Sequence, residues 1–157
     1  MSERLRLLWI SDSPLLATGF ARVSREVCSR LARHPKVDLA ALGWGHDPAT
    51  FQTSLLSHRL YAGSGDTFGR DSFEAVVLEF RPSLVVSLGE LHSVKWLAEA
   101  PSRDSWKWVA YVPIDGSPFY EPWGRWLSSV DQVVAMSEFG RTVLQEGMPK
   151  ASVISTP

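Results

Sequence analysis

LRLLWISDSPLLATGFARVSREV, residues 5–27, is the stretch that decides the fold. Its apolar start predicts a strand over residues 4–10 that is buried on both faces. A helix with a regular apolar face is predicted to begin at about Thr18, whose hydroxyl is a candidate N-cap. The stretch therefore predicts a strand, a loop and a helix whose free N–H groups point back at the end of the strand, which suits an anion.

Length and composition indicate one domain. A chain of 157 residues buries roughly 68–70% of its unfolded surface, enough for a core without disulfides. The 16 Lys and Arg residues nearly balance the 17 Asp and Glu residues, so no overall field favours nucleic acid. Cys28, the only cysteine, is predicted to be a buried apolar residue, as in a reducing compartment. With no signal-peptide pattern and no apolar run near the ~20 residues of a membrane span, we expect a cytoplasmic chain.

The alternation of strand and helix continues along the chain. Further strands are predicted at residues 37–43, 59–62, 84–88, 106–112, 131–136 and 152–155, and further helices at residues 72–80, at 93–98 and after Ser137. Ser137 is the expected N-cap of the last helix, and Gly147 is expected to end it in the left-handed conformation. The pattern predicts an α/β fold: a doubly wound, mostly parallel Rossmann-like sheet of about seven strands in the order 3-2-1-4-5-6-7.

Polar residues follow several predicted strands. Ligand-binding groups of open α/β sheets gather where strands end, so we expect these residues to share one edge of the sheet. They are Thr18, Gly19, Glu90, His92, Asp115, Ser137 and Glu138.

Plainer interpretations compete with a functional role for some of these residues. A lone histidine at the start of a helix, such as His92, is more often a cap or a surface residue than a binding residue. Asp115 lies in a rigid, proline-bounded loop over residues 113–118 and either faces a ligand or makes an Asx turn. Trp123 and Trp126 share a helix face, which fits either a sugar-stacking platform or core packing.

Other nucleotide-binding and signalling domains of this class fit the sequence poorly. In GSGDTFG, residues 63–69, the third glycine comes one residue too late for a dinucleotide fingerprint, and no strong helix is predicted directly after it. SDSP at residues 11–14 stands where a nicotinamide-binding domain has its glycine-rich turn. A phosphoacceptor receiver domain needs an aspartate at the end of its third strand, and residues 84–89 lack one.

Three blocks of sequence carry a resemblance to a known family. They are WISD at residues 9–12 with TGFARV at 18–23, YVPIDG at 111–116, and VVAMSEFGR at 133–141 with its continuation to residue 157. Together they resemble the amino-terminal lobe of a GT-B glycosyltransferase and are most similar to glycosyltransferase family 4. The resemblance covers nearly the whole chain and is weakest over residues 44–70.

The resemblance implies one half of a retaining enzyme. In that family this lobe mainly binds the acceptor, a second Rossmann-like lobe holds the sugar-nucleotide donor, and the sugar is transferred in the cleft between them. We therefore expect residues 1–157 to form the acceptor-side lobe, without the carboxy-terminal donor lobe and inactive alone. No cofactor or metal is expected, with the sugar nucleotide as co-substrate; consistently, the four histidines show no ligand spacing.

The resemblance also implies roles for residues at matching positions. Thr18, Gly19 and Phe20 would approach the donor diphosphate. Asp115 would be the catalytic candidate, at a position where relatives often place a histidine or another polar residue. The residues expected to border the cleft or the acceptor are Asp12, Glu90, His92, Ser137 and Glu138.

The acceptor is not readable from the sequence, and a second class of function stays open. Arginines of the first helix suit either peripheral contact with an anionic membrane or a solvated helix face. The alternative to an enzyme lobe is a stand-alone, non-catalytic Rossmann-like module that binds a sugar or a partner.

Overall fold

The computed structural model describes residues 4–46, 56–64 and 66–156. The strands within these residues are β1 (Leu5–Asp12), β2 (Val37–Trp44), β3 (Arg59–Gly63), β4 (Leu84–Leu88), β5 (Lys107–Val112), β6 (Gln132–Ala135) and β7 (Val153–Ser155). All seven are parallel and follow the order β3-β2-β1-β4-β5-β6-β7. The predicted fold class and strand order are confirmed.

Helices and 3₁₀ segments connect the strands. The helices are α1 (Gly19–Leu31), α2 (Arg70–Phe80), α3 (Leu91–Val94), α4 (Pro122–Trp126) and α5 (Glu138–Gly147), and the 3₁₀ helices are Lys95–Glu99 and Arg103–Ser105. Where the sequence predicts one helix over residues 93–98, the structure has α3 followed by a 3₁₀ helix. The turn begins early because the Glu90 carbonyl accepts hydrogen bonds from both the N–H and the hydroxyl of Ser93. None of the helices in the described residues combines the length and apolar character of a membrane span.

The central strand β1 is buried because it pairs with β2 on one side and β4 on the other. Its side chains alternate between two apolar layers: Leu8 and Ile10 belong to one, and Trp9 to the other, which α1 covers. The Trp9 indole donates to the buried Ser24 hydroxyl of α1 at 3.0 Å. Cys28 of α1 lies in the same layer and is 1% exposed, as predicted, and burial raises the pKa of its thiol to about 12.

The prediction that Gly147 ends the last helix in the left-handed conformation is wrong. Gly147 is the last residue of α5, its φ is not positive, and the helix is capped by Met148 at φ −133°. A Cβ at Gly147 would lie 2.0 Å from Cγ of Phe119. The glycine therefore serves the packing of that ring against the helix and not a change of backbone direction.

The glycine-rich stretch at residues 63–69 also departs from prediction, although Gly65 lies outside the described residues. A helix does follow directly, since α2 begins at Arg70. Gly69 precedes it at φ 79°, and a Cβ on Gly63 would lie 2.5 Å from the Gly69 Cα. Asp71, near the start of α2, accepts the Thr67 hydroxyl at 2.8 Å. Gly63 and Gly69 therefore allow β3 and the start of α2 to pack closely at the edge of the sheet. The sequence alone did not predict that α2 begins at Arg70.

Candidate functional site

A pocket of about 320 Å³ opens at the carboxyl ends of β4 and β5; we call it the strand-end pocket. Its walls come from the start of α1, the loops after β4 and β5, and α4. It is lined by Phe20, Glu90, Leu91, His92, Pro113, Asp115, Tyr120, Trp123 and Trp126. Four of the predicted site residues, Phe20, Glu90, His92 and Asp115, are thus brought together from three separate segments of the chain.

Asp115 is held in the wall of the strand-end pocket by its neighbour. Ile114 is 6% exposed and packs at Gly140 of α5, where a Cβ would lie 3.1 Å from the Ile114 Cβ. The Asp115 side chain is exposed and accepts no hydrogen bond from any residue in the described ranges. No Asx turn therefore forms, and the carboxylate is available to a ligand.

Glu90 and His92 form an exposed pair on the loop after β4. The His92 Nδ1 lies 3.1 Å from Glu90 Oε2, and more than half of each side chain is exposed. The His92 ring also meets the Phe68 ring edge to face, with centroids 5.8 Å apart. Glu90, not His92, is the N-cap residue of α3, so His92 is not a cap and both side chains are presented at the pocket.

Three aromatic side chains form the opposite wall. The ring of Tyr120 lies edge to face with those of Trp123 and Trp126, at centroid distances of 5.9 and 6.3 Å. Both indoles are half-buried against the main apolar core and still line the pocket, so the platform and core interpretations are not exclusive. Tyr120, 54% exposed, was not predicted as a site residue; its position just after β5 was the available signal.

The loop between β1 and α1 has its own hydrogen bonds. The Thr18 hydroxyl accepts from the Ala21 N–H at 3.1 Å, which confirms Thr18 as the N-cap, and donates to Asp12 Oδ2 at 2.5 Å. Arg25 of α1 donates to the carbonyls of Pro14 and Leu16 at 2.7 and 2.8 Å. These hydrogen bonds hold the loop between Asp12 and Thr18 against α1.

The start of α1 is open toward the carboxyl edge. A Cβ at Gly19 would meet no atom within 4 Å, and no acceptor in the described part of the chain receives the N–H of Gly19 or Phe20. Phe20, Glu90 and His92 line both the strand-end pocket and a smaller one of about 200 Å³. The smaller pocket is lined by Asp12, Phe20, Trp44, Phe68, Gly89, Glu90, His92 and Ser93.

Ser137 and Glu138 follow β6 at the same edge but do not line the strand-end pocket. The Ser137 hydroxyl accepts from the Gly140 N–H at 3.1 Å, which confirms it as the N-cap of α5. Glu138 accepts the Ser155 hydroxyl at 2.7 Å and pairs with Arg141 at 3.4 Å. The structure thus places these two residues toward β7, apart from Asp115.

Within the described ranges, no group of three His, Cys, Asp or Glu side chains is arranged to hold a metal ion.

Comparison with known proteins identifies the fold. No family model matches the sequence, and no curated protein matches it. The structure is similar to the apo form of the lipopolysaccharide outer core galactosyltransferase WaaB, with a TM-score of 0.67 and 12% sequence identity over 98% of this chain. The chain spans 46% of the WaaB chain. The fold is therefore a Rossmann-like lobe of the GT-B type, and the likeness does not single out family 4.

Proposed function

We propose that the chain is the acceptor-side lobe of a retaining glycosyltransferase, similar to family 4, that transfers a sugar from a sugar nucleotide to an acceptor. The observation that carries the proposal is the strand-end pocket, which joins a wall of aromatic rings to two carboxylates and an imidazole. The similarity in fold to a galactosyltransferase supports the same class.

The chemistry of the strand-end pocket suits a sugar. A pyranose has an apolar face of C–H groups and an edge of hydroxyls. Aromatic rings such as those of Trp123 and Trp126 supply a rigid apolar surface on which the C–H face can stack. Ionised carboxylates accept hydrogen bonds only, so Glu90 and Asp115 suit the hydroxyl edge. The family resemblance assigns Asp115 to the sugar nearest the transfer step, and its carboxylate is available for that contact because no residue in the described chain donates a hydrogen bond to it.

The donor diphosphate would approach from the side of α1. Free N–H groups at a helix start and the positive end of the helix dipole favour an anion, and the space beside Gly19 is open. The cationic groups that hold most of the sugar nucleotide would belong to a second lobe. We therefore expect no transfer by the 157-residue chain alone and no requirement for a metal.

Titration of the chain with a methyl hexoside and, separately, with a nucleoside diphosphate tests this proposal by NMR. We expect the hexoside to shift the indole signals of Trp123 and Trp126. The nucleotide should bind weakly and shift the amide signals of Gly19 and Phe20. Tight nucleotide binding at residues 63–69, or a hexoside that leaves both indoles unchanged, would overturn the proposal.

A matched pair of variants tests the pocket itself. Asp115→Asn should weaken hexoside binding several-fold, since an amide replaces an ionised acceptor. Asp104→Asn is the control, because Asp104 is an exposed carboxylate outside the strand-end pocket. Transfer is then measured with this chain joined to a donor lobe; sugar binding without transfer would identify a binding module in place of an enzyme lobe.

A further inference from the structure

A third concavity, of about 560 Å³, continues from the strand-end pocket along α4; we call it the basic groove. Tyr120 and Trp126 line both the pocket and the groove. The remaining walls of the basic groove are Arg70, Lys95, Trp96, Ala98, Glu99, Pro122 and Arg125. A ligand that occupies the pocket can therefore extend into the groove without leaving the surface of Trp126.

The basic groove holds three cations and one carboxylate. Arg70, Lys95 and Arg125 are all exposed, and none forms an ion pair with a carboxylate in the part of the chain that the structure describes. Outside the groove some basic residues pair with carboxylates, namely Arg6, Arg30, Arg59, Arg103, Lys107 and Arg141, whereas others, such as Arg33, Lys36 and Lys150, form no ion pair within the described residues but do not line the groove. The groove thus concentrates positive charge that the lobe itself does not neutralise.

Lys95 marks the junction between the two concavities. Its Nζ lies 4.5 Å from the centroid of the Trp126 ring, in a cation–π contact. That contact holds an ammonium group beside one of the indoles that would bind the sugar. The two guanidinium groups of the groove can each donate two hydrogen bonds to a planar or tetrahedral oxyanion.

We propose that the basic groove binds a phosphate group that the acceptor carries next to the sugar in the strand-end pocket. The inference rests on the proposed function and names the acceptor class, a phosphorylated glycan or glycoside. Three cations against Glu99 leave an excess of two positive charges. A phosphate monoester carries about −1.5 to −2 charges at pH 7, which matches that excess, whereas one carboxylate would match half of it.

The phosphate can belong to a soluble sugar or to a lipid headgroup, and the chemistry in the basic groove is the same. For a soluble ligand, calorimetric titrations with methyl hexoside, hexose 6-phosphate, inorganic phosphate and the corresponding hexuronate separate the affinity due to the sugar, to the phosphate and to negative charge alone. Vesicles of phosphatidylglycerol, with neutral phosphatidylcholine vesicles as reference, test the lipid source. We expect hexose 6-phosphate to bind about tenfold more tightly than methyl hexoside, a preference that falls as salt is added.

The triple variant R70Q/K95Q/R125Q tests the basic groove directly. The ratio of the affinities for hexose 6-phosphate and methyl hexoside should fall to about one in this variant. The control R33Q/K36Q/K150Q removes the same charge from exposed residues outside the groove and should keep the preference. The ratio measures the contribution of the phosphate group to binding, because any indirect effect of the substitutions on the sugar subsite changes both affinities alike.

The outcomes distinguish this inference from the proposed function. Vesicle binding that the triple variant loses and the control keeps supports a lipid-borne phosphate, and a hexose 6-phosphate preference with the same dependence supports a soluble one. The inference is overturned if neither of these two effects is seen, or if the hexuronate is preferred over the methyl hexoside as strongly as the hexose 6-phosphate is. A hexoside that fails to shift the Trp123 indole counts against the proposed function alone, since the groove is judged by the response of phosphate binding to the charge variants.

Discussion

Two aspartates at opposite edges of the sheet, Asp131 and Asp115, differ in whether their charge has a partner. At the amino edge, Asp131 accepts the Trp108 N–H at 2.8 Å and pairs with Arg103 and Lys107, each at 3.0 Å. At the carboxyl edge, Asp115 and the cations of the basic groove have no such partners among the described residues. The Asp131 cluster joins the starts of β5 and β6, whereas the Asp115 carboxylate and the groove cations stay exposed and would be open to a ligand.

Solvent exposure explains how the fold tolerates this difference. An exposed unpaired charge keeps most of its hydration, so leaving it without a partner costs little stability. A shielded charge such as that of Arg103, whose side chain is 17% exposed, is destabilising unless it is paired and hydrogen-bonded. The comparison therefore predicts large stability effects at the amino edge and mainly binding effects at the carboxyl edge.

The largest expected effect is that of Arg103→Met. Arg103 donates to the carbonyls of Trp106 and Ser129, pairs with Asp131 and stacks on the Trp106 ring. Removing the guanidinium leaves these acceptors short of a donor, and we expect a loss of about 3 kcal/mol in the free energy of unfolding by urea denaturation. The same change at the other edge, Arg70→Met, should cost under about 0.5 kcal/mol. Equal losses in the two variants would contradict the expected difference in stability between the two edges.

Gly147→Ala comes next and tests packing instead of charge. The new methyl group would overlap the Phe119 ring, which must move away from α5. Overpacking of this kind typically costs about 1–3 kcal/mol, to be measured as a lower Tm and a smaller free energy of unfolding. Because Phe119 directly precedes Tyr120, NMR signals of the strand-end pocket should shift as well; a silent substitution would contradict the packing described here.

Asp131→Asn should have a smaller effect that depends on pH. Partial burial opposes ionisation, but the Trp108 N–H, Lys107 and Arg103 hold the pKa of Asp131 at about 2, below its ordinary 3.8. The stabilisation is therefore complete above about pH 4 and is lost as pH falls toward 2. Since the side chain is 32% exposed, we expect about 1 kcal/mol at pH 7 after allowance for solvent screening.

Denaturation of Asp131→Asn and the wild type at pH 7 and pH 2.5 measures this difference. The gap between the two proteins should narrow at the lower pH. Asp115→Asn serves as the carboxyl-edge control, with no gap at either pH. A gap that stays constant with pH would show that the hydrogen-bond geometry of Asp131, and not its charge, stabilises the edge.

The smallest effect on stability is expected for Gly19→Val. The side chain would project into open space at the start of α1, so the free energy of unfolding should change by less than about 0.5 kcal/mol. Transfer by the lobe joined to a donor lobe should nevertheless be lost, because the β-branched side chain blocks the diphosphate from the helix N–H groups. A destabilised variant would instead mean that the fold itself requires this glycine.

The features predicted from sequence are those that depend on local pattern. The apolar runs around β1 and β4 and the caps Thr18 and Ser137 are readable because strand burial and helix capping are decided by neighbouring residues. The sequence also placed Asp115 at the correct edge, since every parallel strand ends there.

What the sequence did not predict depends on side chains that are distant along the chain. The prediction for Gly147 was wrong because a glycine is needed there to make room for the ring of Phe119, which lies 28 positions earlier in the chain. Glu138 turns to Ser155 of β7, which no local pattern specifies. The basic groove assembles Arg70, Lys95 and Arg125 from three separate segments, and no spacing rule connects them.

The two hydrogen bonds from Arg25 to the loop carbonyls of Pro14 and Leu16 have an entropic consequence. Fixing a loop residue on binding costs about 1–2 kcal/mol in backbone conformational entropy. In this lobe the loop before α1 is already ordered by its own helix, so an incoming anion would meet preorganised amides and would not bear that cost. Arg25, which lines neither of the pockets beside α1, would thereby contribute to affinity through the order that exists before a ligand binds.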